Sequence, residues 1–153
     1  MASTPAPEIE GFVLDSFAIL ALYGNEPAAG DVAALLARET GHLVMTYVNM
    51  GEVLYTIIRE RGEDRAGATL LGLEDAGVIF VPAERMLTFE AARFKARHRL
   101  SYADAYCAAL SSLTGFPLVT GDPEFSQLEG EIPIHWLCGP DRDVRPSASC
   151  PGR

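Results

Sequence analysis

The stretch Phe12-Val-Leu-Asp-Ser-Phe-Ala-Ile-Leu-Ala-Leu-Tyr-Gly24 sets the start of the fold, because a short apolar run is followed at once by a longer one. Residues 12–14 are apolar, and their pattern predicts a buried strand that ends at Asp15. Ser16 is expected to cap a helix over residues 17–23, which Gly24 ends. A strand followed directly by a helix is the first unit of an α/β protein.

The same alternation continues along the chain. Further strands are predicted at residues 42–46, 78–81, 117–120 and 132–137, and further helices at residues 31–38, 47–61, 65–76, 85–98 and 101–114. Strands separated by helices pair in parallel through right-handed crossovers. The sequence therefore predicts an α/β fold, a three-layer α/β/α sandwich around a central, mainly parallel five-stranded sheet.

One domain accounts for most of the chain. The 153 residues, of which 48% are hydrophobic, suit a single core. The predicted domain covers residues 11–138. A polar N-terminal lead over residues 1–10 precedes it, and a Pro- and Ser-rich tail over residues 139–153, predicted to be flexible, follows it.

The cytoplasm is the expected location. No apolar run approaches the roughly 20 residues that a bilayer requires, so no membrane association is expected. The N-terminus has no basic segment before an apolar stretch, unlike a secretory signal. Cys107, Cys138 and Cys150 lack CxxC spacing and are expected to be reduced thiols.

Four separated acids are the chemically informative residues, and three of them have ordinary structural explanations. Asp15 lies between a strand and a helix, where a carboxylate can cap the helix. Asp122 precedes Pro123, as an N-cap does when proline takes the first helical position. Asp104 follows Ser101 by three residues, the spacing of a capping box. None of the three is diagnostic alone.

Glu52 is harder to explain by local structure. It is the only charged side chain over residues 48–58, and its helical neighbours Val48 and Tyr55 make its face apolar. A carboxylate in such surroundings needs a cation, a hydrogen-bond donor or a proton to offset its desolvation. The same argument applies to Asp104, the only charge over residues 102–110.

The predicted fold brings the four acids toward one cleft. Asp15 and Asp122 each follow a predicted strand, and parallel sheets bind ligands at the carboxyl ends of their strands. Glu52 and Asp104 lie on helices next to that edge, if the first, second and fourth strands are neighbours. An all-oxygen pocket suits Mg²⁺ or Mn²⁺ rather than Zn²⁺ or copper. Because carboxylates with hard metal ions serve phosphoryl transfer, the sequence predicts hydrolysis of a phosphodiester.

These residues resemble those of the PIN domain, and within it the VapC-type toxins. The matching stretches are Val13-Leu-Asp-Ser16, Glu52-Val-Leu-Tyr55, Leu100-Ser-Tyr-Ala-Asp-Ala105 and Leu118-Val-Thr-Gly-Asp-Pro-Glu-Phe125. The resemblance implies a metal-dependent endoribonuclease that acts on RNA with Mg²⁺ or Mn²⁺, as the toxin of a type II toxin–antitoxin pair. It also implies a homodimer and a small VapB-like antitoxin whose tail occupies the cleft.

The resemblance also assigns roles by position. It gives metal-binding and catalytic roles to the four acids, and it matches Ser16 and Thr120 to places where the family often has a supporting hydroxyl. An ordinary β-branched strand residue is an equally good interpretation of Thr120.

A cluster of cations offers a second candidate for contact with RNA. The chain as a whole has 12 basic and 21 acidic side chains, a net charge of −9, which disfavours a nucleic-acid partner. Residues 91–99, however, carry four cations and no acid: Arg93, Lys95, Arg97 and Arg99. Together they could hold flanking phosphates, whereas a solvated helix surface is the favoured interpretation of any one of them.

Named residues exclude two other functions. A haloacid-dehalogenase-type phosphatase has a second Asp two residues after the first, where Phe17 stands here. A response-regulator receiver has a lysine near its last strands, whereas the only lysine, Lys95, lies on a predicted helix. A catalytically silent PIN domain used as a binding module is disfavoured because all four acids are present. A housekeeping RNA-processing PIN nuclease stays open.

Aromatic residues and histidines are not expected in the site. Tyr55 and Phe125 can stack on a base but are predicted to belong to the core. The histidines His42, His98 and His135 have no metal-ligand spacing, and no catalytic role is expected for them.

Overall fold

The computed structural model describes residues 10–38 and 41–137. All but the last residue of the predicted lead, and the whole predicted tail over residues 139–153, lie outside the described residues, as do Cys138 and Cys150. The extent of the domain, residues 11–138, therefore stays a prediction.

The centre of the structure is a parallel sheet. Its five strands are β1 (Gly11–Leu14), β2 (His42–Thr46), β3 (Val78–Val81), β4 (Leu118–Thr120) and β5 (Ile134–Trp136). Their order is β3-β2-β1-β4-β5, and every neighbouring pair is parallel. The predicted five-stranded sheet is confirmed, with no antiparallel pair among the described strands.

Helices connect these strands. They are α1 (Ser16–Tyr23), α2 (Ala29–Leu36), α3 (Tyr47–Arg61), α4 (Glu63–Asp75), α5 (Arg85–Arg97), α6 (Tyr102–Thr114) and a 3₁₀ helix (Pro123–Leu128). α3 begins where the Thr46 hydroxyl accepts a hydrogen bond from the backbone N of Asn49 (2.9 Å). It ends at Gly62, whose φ of 86° favours glycine. Within the described residues, no helix is long and apolar enough to cross a membrane.

Two apolar cores cover the two faces of the sheet. Leu14 packs in one core with side chains of α1, α2, α3 and α4. Its neighbour Val13 packs in the other with α5, α6 and the 3₁₀ helix. Successive strand residues point to opposite faces, so the helices form two separate layers. The predicted three-layer α/β/α sandwich is confirmed.

The strand order places a cleft at the carboxyl ends of β1 and β4. The chain runs from β1 to β2 and β3 on one side of the sheet, and to β4 and β5 on the other. At such a switch point, the segments that leave neighbouring strands diverge and open a crevice at their carboxyl ends. Asp15 follows β1 and Thr120 ends β4, so both belong to this edge.

Candidate active site

Asp15 is directed into the site and does not cap a helix. It occupies the N-cap position of α1, but its side chain makes no capping hydrogen bond. Its Oδ2 accepts a hydrogen bond from the Thr120 hydroxyl (2.8 Å), and the residue is only 2% exposed. The ordinary explanation of Asp15 as a cap is therefore excluded, and Thr120 has a contact beyond that of a strand residue.

Ser16 joins two of the acids. The prediction that it caps α1 is wrong, because the helix already includes Ser16 and Asp15 is the N-cap. The Ser16 Oγ lies 2.6 Å from Glu52 Oε2 and 3.3 Å from Asp15 Oδ1. A hydroxyl has one hydrogen to donate, and the shorter contact gives it to Glu52. Ser16 thus connects the end of β1 to α3.

Asp122 caps its helix, as its local pattern predicts, whereas Asp104 lies in the first turn of a helix that Ser101 caps. The Ser101 hydroxyl accepts a hydrogen bond from the backbone N of Asp104 (3.1 Å). Asp122 Oδ1 accepts one from the backbone N of Glu124 (2.9 Å), with Pro123 at the start of the helix. The first cap uses the backbone N of Asp104 and not its carboxylate, and the second uses one oxygen of Asp122, which keeps further lone pairs.

Glu124 belongs to the acidic group, although it is not among the four acids predicted from the sequence. Carboxylate oxygens of Asp104, Asp122 and Glu124 all lie within 4.8 Å of one another. The available signal was its place two residues after Asp122, on a short helix that turns back toward the same edge. The compact acidic group therefore contains two of the four predicted acids and one additional acid. Asp15 and Glu52 are joined to each other through Ser16.

The charges of these acids act on one another. Burial raises the pKa of Asp15 to about 7, and the negative charges of Asp104 and Glu52 add to the rise. Hydrogen bonds from the Thr120 hydroxyl and the Ser16 backbone N oppose it. Burial also raises the pKa of Asp104, with a contribution from Asp122. These directions indicate negative charge that the protein itself leaves uncompensated.

No basic side chain of the described residues forms an ion pair with any of these acids. The ion pairs found there are Arg38–Glu10, Arg93–Glu90 and Arg97–Glu131, and the His98 ring contacts Glu131 as well. Clustered carboxylates with no paired cation fit a hard divalent ion, whose charge would offset theirs. The donor set is all oxygen, which agrees with Mg²⁺ or Mn²⁺.

The predicted RNA-binding cations differ in their surroundings. Arg93 pairs with Glu90 (3.2 Å), and Arg97 pairs with Glu131 (2.7 Å). The Lys95 ammonium donates to the backbone O of Leu100. The fourth cation, Arg99, is exposed and forms no ion pair within the described residues. Two of the four cations are thus partly neutralised in place.

The two aromatic residues considered for base stacking have different positions. Phe125 is fully buried, as predicted for a core residue. Tyr55 is 53% exposed, so the prediction that it belongs to the core is wrong. Its face of α3 points outward, away from the apolar residues Val53 and Ile57 that pack inward.

Comparisons with known proteins agree with this architecture. The PIN domain family model matches residues 12–131. No curated protein matches the sequence. VapC20 of Mycobacterium tuberculosis, a toxin that cleaves the sarcin–ricin loop, has a similar fold. Its sequence is 19% identical, the TM-score is 0.64, and the match covers 76% of this chain and 94% of that chain.

Two complexes contain similar chains. DNA-bound VapBC from Salmonella typhimurium gives 17% identity and a TM-score of 0.66, over 84% of this chain and 99% of that one. A toxin–antitoxin complex from Klebsiella pneumoniae gives 17% identity and a TM-score of 0.63, and the match covers 78% of this chain and 94% of that chain. At these identities the likeness shows the fold. Because the family model matches over most of the length, the chain belongs to the PIN domain family.

Proposed function

We propose that this protein is a metal-dependent endoribonuclease that hydrolyses phosphodiester bonds of RNA with Mg²⁺ or Mn²⁺. The observation that carries the proposal is the group of carboxylates at the carboxyl edge of the sheet, which no cation of the described residues neutralises. Membership of the PIN domain family supports the choice of a nuclease.

The acids would hold the metal from several elements at once. Asp104, Asp122 and Glu124 form the compact part of the cage, and Asp15 and Glu52 extend it toward β1 and α3. A bound divalent ion supplies hydroxide at neutral pH and neutralises charge on the phosphate.

Ser16 and Thr120 are proposed as the supporting hydroxyls. Thr120 donates to Asp15 Oδ2 and accepts from the backbone N of Asp122 (3.0 Å), so it ties two acids to the end of β4. Ser16 holds Glu52 in the same way from the start of α1. Each hydroxyl fixes the orientation of a carboxylate, whose oxygens keep further lone pairs for a metal ion.

The biological role that we propose is that of a toxin, inhibited by a small VapB-like antitoxin protein. Support comes from the proteins of similar fold, which include a VapC toxin and toxin–antitoxin complexes. A housekeeping RNA-processing nuclease would share the same acids, and a silent binding module would share only the fold. Growth and cleavage measurements separate these alternatives.

A homodimer is also proposed, through an exposed apolar face of α3. We call this face the α3 stripe, and define it as Tyr47, Gly51, Tyr55 and Ile58. These positions are spaced to share one side of a helix. Open space surrounds the Cβ position of Gly51, which would allow a second helix to come close.

The nuclease assignment is tested with Asp104→Asn, which removes a charge with little change in volume. Wild-type protein should cleave single-stranded RNA with Mn²⁺, lose activity in EDTA and recover it when Mn²⁺ is restored. Asp104→Asn should be at least about 100-fold slower, because losing a ligand costs more than losing a supporting contact. The exposed Asp75→Asn, on α4, is the matched control and should retain activity. Activity in EDTA or in Asp104→Asn would contradict the assignment.

The toxin role is tested by expressing the wild-type protein and Asp104→Asn separately in bacteria. Wild-type protein alone should arrest growth, and Asp104→Asn should not. Co-expression of the neighbouring gene should restore growth and yield a small protein that copurifies. RNA cleavage in vitro without growth arrest would favour the housekeeping nuclease. Binding of RNA without cleavage would favour the silent module.

A further inference from the structure

The segment that leads into Asp104 is held by amide side chains from two neighbouring elements. Asn49 contacts it from α3, and Gln127 contacts it from the 3₁₀ helix. α3 also carries Glu52, and the 3₁₀ helix also carries Glu124. Each amide therefore connects the start of α6 to an element that presents another acid of the site.

Asn49 is a fully buried link one helical turn before Glu52. Its Nδ2 donates to the backbone O of Ala103 (3.1 Å), the residue directly before Asp104. Its Oδ1 accepts from the Thr46 hydroxyl, and that hydroxyl oxygen accepts in turn from the Asn49 backbone N (2.9 Å). The Asn49 side chain is thus held at both ends, and it sets the separation between α3 and the first turn of α6.

Gln127 forms a two-point contact on the other side of the segment. Its Oε1 accepts from the backbone N of Arg99 (3.2 Å), and its Nε2 donates to the backbone O of the same residue (3.1 Å). The Nε2 also donates to the backbone O of Glu124 (2.9 Å). Two contacts to the backbone of one residue restrain the orientation of that segment as well as its distance from the 3₁₀ helix. Because the side chain is exposed, filling the core is not its role.

We propose that Asn49 and Gln127 are positioning residues that fix the segment leading into Asp104 against α3 and the 3₁₀ helix, and so hold Asp104 at metal-binding distance from Asp122 and Glu124. The inference rests on the proposed function, since it takes these acids as metal ligands. Carboxylates repel one another and would separate unless their backbones were restrained. Amides supply that restraint without adding charge, and they act on the backbone, so the Asp104 side chain stays available.

The test measures Mn²⁺ affinity by titration calorimetry in the absence of RNA. Gln127→Ala should bind Mn²⁺ about 10-fold more weakly, the lower end of the loss typical of groups that support ligands. Asn49→Ser should show a similar loss, because a serine hydroxyl is too short to reach Ala103. Ser126→Ala is the matched control. Ser126 adjoins Gln127, and among the described residues its hydroxyl bonds only to Pro123 of its own helix, so the Ser126→Ala protein should bind Mn²⁺ like wild type.

A kinetic measurement separates positioning from general damage to the fold. The Mn²⁺ concentration for half-maximal RNA cleavage should rise about 10-fold in Gln127→Ala, whereas the rate at saturating Mn²⁺ should change much less. A partly unfolded variant would instead lose rate at every Mn²⁺ concentration. Thermal unfolding of each variant accompanies the titrations, and Gln127→Ala keeps the test decisive if the buried Asn49→Ser unfolds.

The outcomes distinguish this inference from the function on which it rests. If Asp104→Asn weakens Mn²⁺ binding but Gln127→Ala binds like wild type, only the positioning role is overturned. If Ser126→Ala weakened Mn²⁺ binding as much as Gln127→Ala, the positioning role would also be overturned, because any change in the 3₁₀ helix would then have the same effect. If Asp104→Asn binds Mn²⁺ like wild type, the proposed metal site fails and the positioning role falls with it.

Discussion

The Asp15 carboxylate is buried, so its ionised form lowers the stability of the metal-free folded protein. Its pKa is raised from 3.8 to about 7, first by burial and then by the charges of Asp104 and Glu52. The folded protein consequently holds a proton that the unfolded chain releases between these two pH values. By linkage, Asp15 lowers the stability of the metal-free fold progressively as the pH rises from about 4 to 7, and no further above that.

Asp15→Asn should therefore stabilise the metal-free protein at pH 8. The neutral amide can still accept the hydrogen bond from Thr120, and it removes a free-energy cost of up to about 4 kcal/mol, which corresponds to the rise in the Asp15 pKa. Thermal unfolding in EDTA at pH 8 and pH 4.5 measures the effect. The difference between variant and wild type should be large at pH 8 and small at pH 4.5. A variant that unfolds earlier than wild type at pH 8 would contradict this argument.

The acids differ in how far their roles could be predicted from local sequence. Glu52 and Asp104 stand alone in apolar helical stretches, where a charge has little structural use, so physical reasoning alone selected them. Asp15 could not be separated from a cap, because the same position suits either role. The direction of the Asp15 side chain depends on its hydrogen bond with Thr120, and the register of β1 against β4 brings these two residues together. Glu124 was missed because its place two residues after Asp122 does not by itself show that the 3₁₀ helix brings its carboxylate beside Asp104.

At the scale of elements, the best predicted boundaries are those that a local signal marks. β2, α3 and β3 have the predicted bounds, since Thr46 caps α3 and glycine or proline follows α3 and β3. α2 begins two residues before its predicted start, and its N-cap Ala28 has no capping side chain that could have marked the position. β5 covers three residues instead of six, because only Ile134–Trp136 find partners along the short β4.

The positioning contacts of Asn49 and Gln127 show a different limit of sequence reasoning. Both side chains bond to backbone atoms of Arg99 or Ala103. Any residue type presents a backbone carbonyl, so no pairing of residue types signals such a contact. Only the packing of α3, α6 and the 3₁₀ helix around one edge brings the partners together.

The end of α5 and the loop after it provide a test of how RNA is held. Arg99→Ala should weaken RNA binding and reduce the slope of log affinity against log salt by about 0.7, the value for one lost phosphate contact on a single strand. Arg97→Ala should change the slope less, because Glu131 already neutralises Arg97. Binding is measured over a range of KCl concentrations in the inactive Asp104→Asn background. Equal slopes for Arg99→Ala and its parent would exclude Arg99 from phosphate contact.

The whole molecule carries a net charge of −9, which sets the conditions for both RNA binding and self-association. RNA would be repelled by most of the surface, so its approach depends on the few free cations and on metal bound at the site. Two copies of the chain would also repel each other at low salt. Burial of an apolar face is not screened by salt, so moderate salt should favour a dimer built on the α3 stripe.

Ile58→Lys should convert the proposed dimer into a monomer. Ile58 is 41% exposed in the single chain, and a lysine at this position would bring a charge into the apolar contact on both sides of a two-fold interface. Light scattering after gel filtration should give twice the mass of one chain for Asp104→Asn, and the mass of one chain when Ile58→Lys is added. Leu71→Lys, at a 61% exposed position on α4 outside the stripe, is the matched control and should remain a dimer. A monomeric parent protein at moderate salt, or equal dissociation by Leu71→Lys, would remove the α3 stripe as the dimer contact.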